Sequence, residues 1–288
     1  MSTNKNPLDI LIVTYNSEKF IQRLIADLSE SKAVNKILIY DNNSVDQTRW
    51  IIEKHKTSKV ITFFGKKNIG FAKAMNILVR NSKTEYQILV NPDIKIKNHA
   101  IEILLKCAIR QKSDIAGGAM IGEDGGIQRS YTRIPTTMTI LFEFTNLKKI
   151  FPNNHWHKIF LYKDISYPKH SIEVGSVSGG YMLVKKSSFK LLHGFDENFF
   201  MYLEDVDLCK RAHQNNMKVI YCPNSRVIHS GGGSSNNKHR IHYSAWDKAR
   251  MWYIKKNHKT PKLLYQILTL AIQIDVLVTR MRRDKYVD

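Results

Sequence analysis

The stretch Leu8-Asp9-Ile10-Leu11-Ile12-Val13-Thr14, followed at once by Tyr15-Asn16-Ser17-Glu18, decides the fold. Its run of branched apolar residues suits a strand buried on both faces. Ser17 then reads as a helix cap and Glu18 as a first-turn acid, ahead of Phe20, Ile21, Leu24, Ile25 and Leu28 on one helical face. The same change of period repeats downstream. Strands are predicted at Ile37 to Tyr40, Val60 to Phe64, Tyr86 to Val90 and Ile115 to Ala119. Helices are predicted between them, at Gln47 to Lys56, Phe71 to Asn81 and Asn98 to Gln111. Strand and helix alternating at this spacing predict an α/β fold, a mostly parallel sheet with flanking helices.

A chain of 288 residues is long enough to bury a core without disulfides or a structural metal. Its 43% apolar and 24% charged residues exclude a disordered or fibrous protein. The net charge of +20 is unusual and points to polyanions: nucleic acid, an anionic membrane face or a phosphorylated substrate. The three cysteines, Cys107, Cys209 and Cys222, form no C-x-x-C pair and read as reduced thiols. Ile10 to Val13 is too short for a signal-peptide core, so a cytoplasmic protein is expected.

Beyond Gly122 to Gly126, a turn, the segment Ser130 to Ser171 shows no clear period; a stretch of that length is usually functional. A strand at Tyr181 to Val184, a short helix at Ser187 to Leu192 stopped by Gly194, and a helix from Asp205 to Gln214 follow. Two short strands, Val219 to Cys222 and Arg226 to Ile228, precede the run Gly231-Gly232-Gly233, after which the chain reads as helix. The expected division is a first half (1–120), a second half of the same domain (121–239) and a basic helical extension (240–288).

In open parallel sheets ligands bind beyond the carboxyl ends of the strands. There the predicted strands deliver Thr14-Tyr15-Asn16, Asp41-Asn42-Asn43-Ser44-Val45-Asp46 and Asn91-Pro92-Asp93. Each cluster alone reads equally as a turn; three on one rim read as a site. Further on, Gly194-Phe195-Asp196-Glu197-Asn198-Phe199-Phe200-Met201-Tyr202-Leu203-Glu204-Asp205-Val206-Asp207 concentrates carboxylates in a chain poor in them. Glu204 and Asp205 fit the start of a helix, whose dipole favours acids, and Asp207 with Arg211 fits an i,i+4 ion pair. The aromatics Phe199, Phe200 and Tyr202 would screen a neighbouring carboxylate, as a general base requires. Asp93 and His229 together could hold a divalent ion whose remaining positions are filled by diphosphate oxygens.

These pieces, in order, resemble family 2 glycosyltransferases of the GT-A fold from Leu8 to about Ser235. The resemblance rests on I-V-T-Y-N, D-N-N-S-x-D from Asp41, N-I-G-F-A-K-A-M-N from Asn68, N-P-D at Asn91, G-G-Y-M-L-V from Gly179, G-F-D-E-N-F-F-M-Y-L-E-D-V-D-L and H-x-x-G-x-S from His229. Within the family the likeness is to bacterial rhamnosyltransferases of O-antigen and related cell-surface polysaccharide assembly. It implies transfer of one sugar, with inversion, from a nucleotide diphosphate donor such as dTDP-rhamnose to a polyprenyl-diphosphate-linked saccharide or growing glycan. It implies nucleotide-sugar binding by Thr14, Tyr15, Asn16, Asp41, Asn43, Asn68, Gly70 and Asn91. Asp205 would be the catalytic base, Glu204 would orient the acceptor, and Asp93 and His229 would bind Mg²⁺ or Mn²⁺. Asn91 stands where the family's metal motif carries its first acid.

Three other readings compete. A sugar-1-phosphate nucleotidyltransferase would want a glycine-rich, basic loop after the first strand, and Thr14 to Glu18 offers none. A nucleic-acid binder would explain the charge but not the carboxylates. A processive polymerase would carry Q-x-x-R-W after the base; Gln47-Thr48-Arg49-Trp50 has the wrong spacing and place. From Pro261 the chain reads as a helix with Gln266, Thr269, Gln273 and Arg280 along one side and apolar residues over the rest, flanked by Lys255, Lys256, Lys259, Arg282 and Arg283. Such a helix suits an anionic membrane surface; it equally suits a cover for the transferase domain or for a partner subunit.

Overall fold

The computed structural model describes residues 7–97, 99–231, 239–257 and 262–284. The predicted alternation is present as β1 (Leu8–Thr14), α1 (Ile21–Glu30), β2 (Val34–Asp41), α2 (Thr48–Lys54), β3 (Val60–Phe64), α3 (Phe71–Asn81), β4 (Tyr86–Val90), a short β5 (Ile94–Lys95), α4 (Ala100–Gln111) and β6 (Ile115–Ile121). The segment without period holds β7 (Ile127–Gln128), β8 (Tyr131–Thr132), α5 (Thr137–Glu143), α6 (Leu147–Ile150), α7 (His155–Phe160), β9 (Ile172–Glu173) and β10 (Ser176–Val177). Then come β11 (Tyr181–Lys185), α8 (Lys186–Leu191), α9 (Glu204–Gln214), β12 (Val219–His229), α10 (His239–Asn257) and α11 (Lys262–Asp284).

The main sheet runs in the order β3-β2-β1-β4-β11-β6-β12-β5. β1 pairs in parallel with β2 and β4, whereas β11 is antiparallel to both β4 and β6. That reversal matters. Tyr181 pairs with Val90, so the residues leading into β11, Gly179 and Gly180, arrive at the carboxyl end of β4.

Every residue of β1 is buried, with Leu8, Ile10 and Ile12 on one face and Leu11 and Val13 on the other. Alternation along a strand sends neighbours to opposite faces, so a run apolar at both needs helices on both sides. α1 and α4 cover the first face through Leu24, Leu28, Leu104 and Leu105; α3 and α9 cover the second through Met75, Leu78 and Leu208. A third cluster joins Ile140 of α5 and Phe144 just after it, Phe199 and Leu203 ahead of α9, Tyr253 of α10 and Leu268 and Ile272 of α11.

Some local expectations change. Ser17 does not cap α1, which begins at Ile21 without a side-chain cap; instead the Ser17 amide donates to Thr48 Oγ1 at 2.6 Å, tying α1 to α2. Cys107 of α4 and Cys222 of β12 are joined as a disulfide, so only Cys209 is a free thiol, buried, its pKa pushed up to about 12 by that burial. The two short strands after α9 are one strand, β12, with a register shift between Cys222 and Arg226 around Pro223.

Candidate active site

A continuous chain of contacts carries the strand-end clusters across the sheet. Thr14 and Asp41 are register partners at the ends of β1 and β2. Both are buried, and Thr14 Oγ1 and Asp41 Oδ2 have no hydrogen-bond partner among the described residues. Asp41 Oδ1, by contrast, is engaged by Arg49 Nε at 2.5 Å and by the Ser44 amide at 3.0 Å. Arg49 also reaches Asn43 Oδ1 at 3.3 Å and Gly65 O at 2.6 Å, and its guanidinium lies over Phe64. Sequence reasoning met Arg49 only as part of a polymerase lookalike; its available signal was a cation in the first turn of the helix that follows the acidic loop.

Asn16 and Asn43 both have left-handed backbone, with φ of 49° and 67°. Asn16 Oδ1 accepts the Val45 amide and its own amide donates to Ser44 Oγ, so this side chain braces the loop after β2. Asp46 does the same, accepting from the amides of Thr48 and Glu18. Much of D-N-N-S-x-D is therefore a hydrogen-bonded knot, which leaves one oxygen of Asp41 turned to other use.

Asn42 links this knot to the next loop. Its Oδ1 accepts from Ile69 N, and its Nδ2 donates to Gly70 O. Asn68 Oδ1 accepts from Gly70 N, a tight turn into α3. Gly70 has φ of 85°, and a Cβ there would lie 2.4 Å from Phe200 O. The adjacent Phe71 amide donates to that same carbonyl at 2.7 Å. Gly70 thus lets the segment before α9 sit directly on the start of α3.

That segment delivers the carboxylates. Tyr202 and Leu203 have φ of 76° and 65°, two successive left-handed residues, before α9 opens at Glu204. Such backbone persists where the surroundings hold it. Here Phe199 and Leu203 are buried against α10 and α11, and Tyr202 meets Trp246 edge-on. Phe199 and Tyr202, two of the aromatics expected to screen the base, thus also anchor this segment. Asp205 Oδ2 accepts the Gly179 amide at 2.9 Å, and Oδ1 accepts the Val206 amide at 2.8 Å. Gly180 O in turn accepts the Asn91 amide at 2.9 Å, and a Cβ on Gly180 would press on the Asn91 side chain. The antiparallel entry of β11 thereby joins Asp205 to the end of β4.

Burial raises the pKa of Asp205 against the opposing pull of its amide donors, and raises that of Glu204 further, through burial and then the neighbouring Asp205 charge. Glu204 Oε2 has no partner among the described residues. For an acid with a raised folded-state pKa, the native protein keeps a proton that the unfolded chain releases. Stability therefore falls as pH climbs from the ordinary carboxylate range through the folded value. Glu204→Gln is accordingly expected to melt higher than the wild type at pH 8 and together with it near pH 4, by calorimetry. A variant that melts lower at pH 8 would contradict this.

Asp93 and His229 meet as expected, with Oδ2 3.4 Å from Nε2. His229 Nδ1 lies 2.6 Å from Gln128 Oε1, and Gln128 Nε2 donates to His229 O at 3.1 Å. Gln128 Oε1 engages Nδ1, which leaves Nε2, the nitrogen facing Asp93, as the one a metal would take, the arrangement that outer partners impose on metal-ligating imidazoles. Gln128, 101 positions from His229, was invisible to sequence reasoning. Among the described residues no third His, Cys, Asp or Glu joins them. The pair fits an ion that takes its other ligands from a bound diphosphate and water. Gly232 to Ser234, which the sequence places beside this pair, lie outside the described residues.

The Asp207–Arg211 pair of α9 is present at 2.8 Å, and Asp207 is fully buried. Lys256 of α10 bridges it to Asp196.

Comparison with known proteins agrees with this architecture. The chain is similar to the N-acetylglucosaminyl-diphospho-decaprenol L-rhamnosyltransferase of Mycobacterium tuberculosis, 26% identical over 87% of this chain and 85% of that protein. It is also similar to the dTDP-rhamnosyl transferase RfbF of Shigella flexneri, 27% identical over 96% and 89%. Among solved structures, Staphylococcus aureus TarS 1-349 superposes with a TM-score of 0.56 at 16% identity over 93% of this chain and 70% of that one. GalNAc-T7, solved with UDP, GalNAc and Mn²⁺, gives 0.57 at 14% over 79%; there this chain spans 44% of the other's length. These structures share the GT-A fold. A galactosyltransferase domain description also matches residues 161–231, from before β9 to just beyond the end of β12. The glycosyl transferase family 2 description matches residues 9–190, well over half of the chain, and the protein is a family 2 glycosyltransferase.

Proposed function

We propose that this enzyme transfers a single rhamnose, with inversion, from dTDP-rhamnose to a polyprenyl-diphosphate-linked saccharide in cell-surface polysaccharide assembly. The observation that carries the reading is the Asp205 carboxylate, partly desolvated and fixed by Gly179 beside the strand end that bears Asn91 and Asp93. In a single displacement Asp205 takes the proton of the acceptor hydroxyl as that oxygen attacks the anomeric carbon, and the nucleoside diphosphate departs. Glu204 orients the acceptor. Residues 1–120 hold the donor, through Thr14, Tyr15, Asn16, Asn43, Asn68, Gly70 and Asn91 around Asp41, and residues 121–239 hold the acceptor. Asp93 and His229 hold Mg²⁺ or Mn²⁺, which when bound offsets charge on the departing diphosphate.

Asp41 supports a pyrimidine base. Arg49 and the Ser44 amide already occupy Oδ1, so Oδ2 alone remains to accept. One acceptor suits the single imide N–H of thymine or uracil; the adjacent donors of guanine call for two carboxylate oxygens. The M. tuberculosis relative's name supplies a decaprenol-linked acceptor, and a net charge of +20 favours work at an anionic cytoplasmic membrane face.

Calorimetric titration with dTDP, UDP and GDP, each with and without Mg²⁺ or Mn²⁺, tests the donor site. Saturable binding of dTDP and UDP, tighter with metal, and at least about tenfold weaker binding of GDP are expected. Failure of all three nucleotides to bind would overturn the reading; a preference for GDP would overturn the role given to Asp41.

A further inference from the structure

Helix α11 has two apolar lines, and among the described residues only one is packed within its own chain. Leu268 and Ile272 are buried with α10 and α5, and Asp275 is paired with Arg250 at 2.6 Å. The other line, Leu263, Ile267, Leu270, Ile274 and Leu277, is between 50% and 69% exposed. The intervals are four, three, four and three residues, a coiled-coil repeat. Ile267 and Ile274 take the a positions; Leu263, Leu270 and Leu277 take d. β-Branched residues at a with leucine at d favour parallel, two-stranded pairing.

We infer that a second copy of this chain covers this line, the two α11 helices lying parallel and in register. The area is sufficient: at about 100 Å² per side chain, two copies bury about 1,000 Å², where specific interfaces begin. The line is also narrow, bordered by exposed Gln266 and Gln273 on one side and Ala271 on the other. A face that lies in lipid is a broad stripe edged by cations, and no cation stands between Leu263 and Leu277. Nor are the lysines before α11 all free for headgroups: Lys256 is held by Asp196 and Asp207, and Lys255 stands over Trp252. In a chain of +20, an uncharged seam is where two copies can approach. Parallel pairing relates the copies by a two-fold axis along the helices, so both active-site edges face the same way along it.

Sedimentation equilibrium of the full chain in detergent-free buffer tests this. A dimer that tightens as salt screens the mutual repulsion is expected. Ile267→Lys/Ile274→Lys should weaken it at least about 100-fold while circular dichroism and nucleotide binding stay unchanged. Ile274→Cys should form a disulfide-linked dimer on oxidation, because a-position residues face their own counterparts only in the parallel register. A monomer at all concentrations, or a dimer indifferent to the double lysine change, overturns the inference. So does a monomer whose binding to anionic phosphatidylglycerol vesicles is lost on that change, since lipid would then be the occupant.

Discussion

Asp205→Asn is expected to lower turnover by at least about 10²-fold while nucleotide affinity stays within about twofold of the wild type. The substitution keeps shape and removes the basic oxygen. In the native protein the two carboxylate oxygens accept from two different amides, Gly179 and Val206. Asparagine can accept only one of them, so about 1 kcal/mol of hydrogen bonding is lost. Relief of a desolvated charge offsets part of that, since burial raises the Asp205 pKa. The melting temperature should therefore move little, which separates loss of chemistry from loss of fold. The wild-type rate should fall on the acid side at a pH above the ordinary carboxylate range, because the base works only ionised. The variant's residual rate should lack that limb. A single-turnover transfer assay read beside a calorimetric titration decides it, and near-native turnover would remove Asp205 from its assigned role.

The sheet and its strand-end residues were legible because both are local. A buried parallel strand shows as an unbroken apolar run, and the polar residues at its exit stand next to it in sequence. Asp41 and Asn91 could be found that way, and Asp205 by the concentration of carboxylates at the start of a helix. What joins them could not, since the joins are long-range: Gly70 against Phe200, Gly179 to Asp205, Gln128 to His229. None of these leaves a periodic trace. The same holds for the Cys107–Cys222 link, which spans 115 positions and depends on α4 packing against β12. Ser17 illustrates the opposite error. A serine before an apolar-periodic segment is a good cap by propensity, yet its hydroxyl turns back to Tyr15 O, its amide is held by Thr48, and the helix begins later. For α11 the sequence offered hydrophobicity on nearly every side. Only the position of α10 divides it into a face turned inward and a seam turned out, so membrane surface and protein cover were indistinguishable beforehand.

Asp207→Ala is expected to cost about 3–5 kcal/mol, because it strands charges rather than merely deleting a pair. Asp207 is fully buried and accepts from Arg211 Nε at 2.8 Å, Lys256 Nζ at 3.0 Å and Asn257 Nδ2 at 3.3 Å. Arg211 also holds Leu192 O and Gly194 O, and Lys256 and Trp252 both hold Asp196. One carboxylate thus fastens α9 to α10 and to the loop that begins at Gly194. For a chain of this size the loss corresponds to a melting temperature lower by about 5–8 °C. Asp207→Asn, which keeps the acceptor and removes the charge, should fall between alanine and wild type. The effect should also reach catalysis without touching the donor. Glu204 and Asp205 stand in the first turn of the same helix, behind two left-handed residues that hold their conformation only while Phe199 and Leu203 stay packed on α10 and α11. Turnover should therefore drop even at temperatures where the alanine variant is folded, while dTDP affinity, which the proposed function assigns to β1 and β2, is preserved. If Asp207→Ala melted within about 2 °C of the wild type, the C-terminal helices would be dispensable to the catalytic segment, and truncation before α10 should then leave an active enzyme; a buried carboxylate with three donors from two helices argues that it will not.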